Sequence, residues 1–405
     1  MRAVPAVLYL LLFFSTFTVF VREAWALQFF QIGVYALVGA NLLAGVRRGA
    51  GWGAGGVAPR LVYLIPLWAV VQLLGHITIS SFETRQAALR WGSLAGVFFL
   101  SQTVNGSRTA RRTFLTVFLC FATGMALLCL LQMFTSQGRV LWVFSTGYPD
   151  VYATFPNSNN YAQFVELALP IALWRAFREL KRSWWYGLAG GVLYASVIGA
   201  ASRAGALLCS AELLAMLLIG ALRMRKHRTG LSPRRNAWAL VLIPALAVLF
   251  AFAVGEHRVW DRFKASDPYA TRREFTVAAM EMAAHRPWAG FGLGTFPQVY
   301  PQFEIKDFPF YANHAHNDWA EFAAEGGIAF LLLVLIPFAA VVPTAIRHPW
   351  GLGLIAVMLH ACVDYPFPRP AVSGWMFALL GALYMARDSE NGARDAAVTE
   401  TASVS

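Results

Sequence analysis

The sequence predicts an all-α polytopic membrane protein. Three observations carry that expectation. Of 405 residues, 58% are hydrophobic and 13% charged, against about 25% charged in an ordinary soluble domain. The apolar residues gather into repeated runs of about 20 residues, each long enough for a helix to cross about 30 Å of hydrocarbon. The basic residues sort into alternate loops. A helix satisfies its own backbone groups, as a segment in lipid must, whereas a membrane barrel would need shorter, alternating segments.

The runs fall at 4–20, 25–46, 61–79, 87–104, 113–134, 160–177, 184–201, 204–222, 237–254, 320–345, 350–363 and 372–386, which makes about twelve spans. The first lacks a small-x-small cleavage pattern before Arg22 and is expected to be a retained helix rather than a signal peptide. With the N-terminus in the cytoplasm, the inner loops collect Arg47, Arg48 and Arg60, then Arg108, Arg111 and Arg112, then Arg175, Arg178, Lys181 and Arg182, then Arg223, Arg225, Lys226, Arg228, Arg234 and Arg235. The short outer connections carry mainly Arg22, Arg85, Arg139, Arg203 and Arg369. This asymmetry follows the positive-inside rule and accounts for much of the +12 net charge without a nucleic-acid partner. Cys120, Cys129, Cys209 and Cys362 lie in or beside apolar runs with no metal-ligand spacing, and are expected to be small core hydrophobes.

The expected organisation is an N-terminal bundle at 1–254, an outer loop at 255–318 between the ninth and tenth helices, C-terminal helices at 319–386 and a disordered cytoplasmic tail at 387–405. A second outer segment, 136–159, mixes aromatics, proline and amides in the manner of a loop at the membrane interface. Within the large loop, the apolar stripe Phe275, Ala278, Ala279 and Met282 predicts a short helix over 274–284, lying on the membrane surface and ended by Pro287. Gly290, Gly292 and Gly294 lack dinucleotide-site spacing and predict a tight turn that brings the backbone close to the membrane or a ligand.

The loop closes on YANHAHNDWAEFAAEGG. Asp318 is placed to cap the following helix, with Glu321 forming a capping box, so that His314, His316 and Asn317 sit just outside a membrane helix. The alternating histidines lack a partner motif for zinc. A neutral imidazole is suited to take a proton from a hydroxyl, and His316, nearer the rigid helix, is the preferred general base. Arg203, in the short turn ASRAG, stands at membrane depth, where a guanidinium needs an anion or a route to water. With Arg272 and Arg273 on the same side, it suits a phosphate-bearing lipid, because guanidinium matches phosphate geometry. Such a site would let arginines compensate a leaving diphosphate while His316 activates an acceptor hydroxyl for inverting attack. The outer loops carry no DxD-like acidic pair, so the scheme calls for no metal and no cofactor.

These residues resemble the bacterial O-antigen ligase and polysaccharide polymerase superfamily of integral membrane glycosyltransferases. The resemblance is most specific over about 201–330 and rests on three motifs. They are Ser202 to Gly205; Arg272 followed by a short helix and Pro287, Gly290 and Gly292; and His316-Asn317 followed by Glu325, Gly326 and Gly327. It implies a GT-C-like fold in the bacterial inner membrane, with both termini cytoplasmic and the site facing the periplasm. It also implies an undecaprenyl-diphosphate glycan donor, with a lipid A core or a second lipid-linked glycan as acceptor. Carried over residue by residue, the diphosphate-binding arginines fall on Arg203 and Arg272, with Arg273 beside the latter, the catalytic histidine on His316, and a later His-x-x-x-Asp pattern on His360 and Asp364. Phe330 departs from the small or tyrosine residue common in the ligases. Ligase, polymerase and protein O-glycosyltransferase activities all fit the motifs. A transporter would instead predict paired helix breaks near the midplane, which the chain does not show.

Overall fold

A computed structural model describes residues 3–46, 55–148, 150–179, 182–226, 245, 270–304, 306 and 311–404. The expected ninth span at 237–254, apart from residue 245, lies outside the described residues, as do Arg47, Arg48, Lys181, Arg228, Arg234 and Arg235. Most of the described residues are helical. Its helices are α1 (Ala3–Phe17), α2 (Ala24–Val46), α3 (Val57–Leu74), α4 (Ser81–Val104), α5 (Arg108–Thr135), α6 (Ser158–Arg178), α7 (Ser183–Ala200) and α8 (Arg203–Lys226), then α9 (Ala270–His285), α10 (Phe296–Val299), α11 (Asp318–Arg347), α12 (Leu352–His360) and α13 (Pro370–Val404). A small antiparallel hairpin, β1 (Arg139–Val140) and β2 (Phe144–Ser145), occupies the 136–159 segment.

Five of these helices are long and apolar enough to cross a membrane: α2, α3, α5, the Arg203–Gly220 part of α8, and α11. Leu43, Leu67, Leu131, Leu214 and Leu332 stand exposed on them, an apolar surface that lipid solvates and water does not. The chain is thus a helical, multi-pass membrane protein. Several expectations are corrected. Cys120 and Cys362 are exposed rather than buried, while Cys129 and Cys209 lie inside. The tail past 387 is helical as far as Val404, because the segment is rich in alanine and other helix-compatible residues and Glu390 is tied to α11 by Arg347 at 3.0 Å.

The centre of the bundle is α6, whose residues from Asn160 to Leu173 are all buried. Glycine sets how closely its neighbours approach. A Cβ on Gly205 would lie 2.3 Å from the Ala162 Cβ, and one on Gly353 would lie 2.3 Å from the Glu166 carbonyl, so α8 and α12 meet α6 nearly backbone to backbone. Aromatic rings fill the adjoining core. Trp375 stacks on Phe118 at 4.2 Å, and Phe330 packs edge-on against Trp91 at 5.3 Å.

The element that positions the site is α11, which is broken at Gly327 (φ 68°, ψ −176°). The break frees carbonyls that a straight helix would use itself, and the glycine-rich turn takes them. Phe291 N–H donates to the Ala324 carbonyl at 3.0 Å and Gly292 N–H to that of Glu325 at 2.9 Å, while Ile328 N–H donates to Pro287 at 2.8 Å. The Glu325 carboxylate accepts from Gly294 N–H and Phe296 N–H, both at 2.8 Å. From α3, Gln72 donates to the Ala289 and Glu325 carbonyls and Trp68 to that of Gly326. Gly290, Gly292 and Gly294 all have positive φ, so the expected tight turn is present, but what it approaches is α11 and Thr78. The α9 stripe also faces protein: Phe275, Ala278, Ala279 and Met282 are buried against Phe291, Phe296, Ala315 and Ala324 rather than lying on a membrane surface.

A Cβ on Gly290 would lie 2.3 Å from the Glu325 carbonyl carbon, at a φ that alanine rarely adopts. Gly290→Ala is therefore expected to destabilise the protein by about 2 kcal/mol or more, seen as a lower thermal midpoint in detergent. Gly106→Ala, at a site with open space around it, serves as the comparison. Equal midpoints for the two variants would refute the lock.

Candidate active site

The residues singled out in the sequence come together at one end of the bundle, where α6, α8, α11 and α13 begin and α12 ends. Their meeting point is Asp364, in the turn between α12 and α13. Its side chain has no exposed surface, and it faces Arg272 Nη1 at 3.5 Å and His316 Nδ1 at 3.6 Å. Tyr365 N–H donates to its Oδ1 at 2.9 Å, and Asn159 Nδ2 donates to its Oδ2. Burial alone would raise this carboxyl, but the neighbouring His316 ring and Arg272 guanidinium outweigh it and hold the group down at about 2. Asp364 is thus a fixed negative charge at any physiological pH.

His316 follows a short loop and adopts φ 52°, a left-handed conformation that costs a non-glycine residue on the order of 1 kcal/mol. The strain aims its ring back over Asp364 and Tyr365, whose ring lies edge-on at 4.8 Å. About a quarter of the side chain, 24%, remains exposed, while Nδ1 is buried. A carboxylate beside Nδ1 favours the tautomer with its proton there, which leaves Nε2 as the basic nitrogen. Arg272, near the start of α9, donates from Nη1 to the Val363 carbonyl at 2.7 Å. Arg273 is exposed, so the structure separates the two neighbouring arginines: one is turned to Asp364 and the other to the surface.

The SRAG segment reaches the same point from α8. Ser202 caps the helix, its Oγ accepting from Gly205 N–H at 3.1 Å, and it donates to Asn159 Oδ1 at 2.8 Å. Arg203 is the first residue of α8 and half-buried. Asn159 therefore joins the α8 start to Asp364, using its carbonyl for one and its amide for the other.

The remaining candidates support this arrangement from the side. Asn317, not Asp318, caps α11, accepting from Ala320 N–H at 3.2 Å. Asp318 is instead drawn inward, where its carboxylate accepts from Phe367 N–H at 3.1 Å and its own N–H donates to the Ala361 carbonyl, so it fastens the Asp364 turn to α11. Glu321 accepts from Ala315 N–H at 2.7 Å and faces His314 Nδ1 at 2.9 Å, which commits His314 to the loop. His360 lies deeper, its Nδ1 2.7 Å from Glu166 Oε1, with both side chains fully buried. Sequence reasoning missed Asn159, Glu166 and Tyr365. Asn157, Asn159 and Asn160, at the start of an apolar helix, were the one available pointer.

Two cavities adjoin the cluster through His314. One, of about 310 Å³, is lined by Arg90, Glu321 and Glu325. The other, of about 710 Å³, extends past Arg90, Tyr365 and Arg369 to Arg22 and Tyr148.

Folding favours the ionised form of Asp364, so its contribution is complete above the unfolded-state value near 4 and is lost as pH falls through about 2. The stability gap between wild type and Asp364→Asn is expected to shrink by about 2 kcal/mol as pH falls from about 5 towards 2. Thermal midpoints across that range test it, and a gap that stays constant between about pH 5 and 2 would count against it.

Residues 188–336 match the O-antigen ligase family profile, which therefore spans α8, α9, the glycine turn and most of α11. No curated protein matches the chain.

Proposed function

We propose that this chain, a member of the O-antigen ligase-like superfamily through residues 188–336, transfers a glycan from undecaprenyl diphosphate to a sugar hydroxyl of the lipid A core. The observation that carries the reading is the convergence of His316 and Arg272 on the buried Asp364, with the start of α8 joined to it by Asn159. In this reading the protein sits in the bacterial inner membrane with His316 facing the periplasm.

The chemistry follows from the groups in place. His316 Nε2 takes the proton of the acceptor hydroxyl, and the imidazolium that forms is stabilised by the Asp364 carboxylate beside Nδ1. The acceptor oxygen bonds to the anomeric carbon from the face opposite the donor diphosphate, whose carbon–oxygen bond breaks. The electron pair leaves with undecaprenyl diphosphate, and the configuration inverts. Arg272 and Arg203 compensate the diphosphate charge, as arginine does where planar, charge-assisted contacts are needed. No step calls for a metal. The cavity that passes His314 towards Arg22 and Arg369 offers the acceptor its room.

A polymerase would join two lipid-linked glycans with the same groups, so the acceptor decides between the two. The test is transfer by purified protein in nanodiscs with chelator present, using an undecaprenyl-diphosphate glycan as donor and lipid A core or a second lipid-linked glycan as acceptor. Product on the core is expected, with a loss of about 100-fold or more in His316→Ala and a comparable loss in Arg203→Ala or Arg272→Ala. Extension of the lipid-linked glycan alone would make the protein a polymerase. Full activity of His316→Ala would refute the general base.

A further inference from the structure

The opposite end of the bundle holds a second concentration of charge. There α5 begins, α6 ends, the turn from α11 to α12 crosses and α13 leaves the core, around a cavity of about 770 Å³. Five guanidiniums line it: Arg108, Arg111, Arg112, Arg175 and Arg178. Loops that merely anchor topology keep their arginines apart in water, whereas here two separate helix ends deliver them to one concavity.

The two carboxylates in the lining are already engaged. Glu179 pairs with Arg112 at 2.8 Å and accepts from the Tyr186 hydroxyl at 3.1 Å. Glu390 is held by Arg347 at 3.0 Å and His348 at 2.8 Å. The other guanidiniums meet neutral groups. Arg111 donates to the Asn105 and Met385 carbonyls and to Ser389 Oγ. Arg175, buried to 6% exposure, donates to the Arg112 carbonyl at 2.7 Å, and Arg178 lies over the Trp174 ring at 5.1 Å. Among the described residues, Arg108, Arg111, Arg175 and Arg178 meet no carboxylate. Like charges gathered this closely repel unless an anion sits among them.

The level of the cavity indicates where the anion comes from. Leu115, on the first fully apolar stretch of α5, lines it together with Trp174 and Trp350. Tryptophan and arginine beside the first apolar turn of a spanning helix mark the headgroup layer, and basic pockets between helices at that depth suit phosphate headgroups. We propose that this cavity binds a phosphate-bearing anion with at least two negative charges, as offered by a lipid headgroup with two phosphates in the leaflet opposite the His316 cluster or by free pyrophosphate. The inference does not rest on the glycosyl-transfer reading, and its test measures binding rather than transfer.

The full chain is placed in phosphatidylcholine nanodiscs, and cardiolipin added to the bilayer or pyrophosphate added to the solution is titrated. Arg108→Gln and Arg178→Gln, both exposed positions, are each expected to weaken binding about fivefold, in line with about 1 kcal/mol per basic residue near a charged surface. Arg60→Gln removes the same charge from an exposed position at the start of α3, outside the cavity, and is expected to change binding less than twofold. Thermal midpoints in neutral lipid verify that all three variants are folded. Cardiolipin binding with this pattern assigns the site to a lipid, and pyrophosphate binding with this pattern assigns it to a soluble anion. Equal losses for Arg60→Gln and Arg178→Gln, undiminished binding in both cavity variants, or no binding of either probe would overturn the proposal.

Discussion

The break in α11 at Gly327 is the constraint on which the rest of this end of the molecule depends. A continuous helix would keep the Ala324 and Glu325 carbonyls to itself, and the turn from Pro287 to Thr295 would then have nothing to bond. Once broken, the helix presents groups that cannot stay unpaired beside lipid. The turn satisfies them from one side and α3, through Gln72 and Trp68, from the other. Because α9 is joined directly to that turn and packs its apolar stripe on the same helix, the break also fixes where Arg272 stands relative to His316. Phe330 belongs to the same region: it fills the space beside Gly326 and packs on Trp91.

The motifs that mark the chain therefore do two different jobs. Glu325, Gly326, Gly327, Gly290 and Gly292 form the lock and meet backbone, whereas Arg203, Arg272 and His316 stand where a substrate could meet them. Asp364 links the two groups. Its charge is tolerable in a buried turn only because a guanidinium, an imidazole, an amide and a backbone N–H surround it. Removing any one of them would leave the others facing an under-compensated carboxylate, so the geometry of the site and the stability of its frame are coupled.

Much of this was legible locally. The stripe at Phe275, Ala278, Ala279 and Met282 predicted α9 and which of its faces is apolar, and the alternating glycines predicted a turn, because period and φ preference are properties of a few adjacent residues. The position of Arg203 at a short helix junction was equally local. The partners were not. Asn159 meets Asp364 across more than half of the chain, and nothing in either neighbourhood announces the other. The cap of α11 moved from Asp318 to Asn317 for a related reason: the Phe367 N–H, far along the sequence, draws the Asp318 carboxylate inward and leaves capping to its neighbour. Similarly, the apolar face of α9 was assigned to a membrane because the protein surface that covers it comes from a distant turn.

The looseness of the His316–Asp364 contact also has a physical reading. At 3.6 Å the pair is just outside hydrogen-bond distance, and closing it needs less than about 1 Å. Asp364 is poorly placed to make that move, since Asn159, Tyr365 N–H and the Asp318-anchored turn hold it. His316 Nδ1 has no such hydrogen bond among the described residues: the residue sits in a left-handed backbone conformation between a loop and a cap, with part of its ring exposed. A proton arriving on Nε2 would turn the ring into a cation beside a fixed anion and draw it in. In the proposed reaction the contact would thus tighten as the acceptor hydroxyl ionises, when the attraction is of most use, rather than before the substrate arrives.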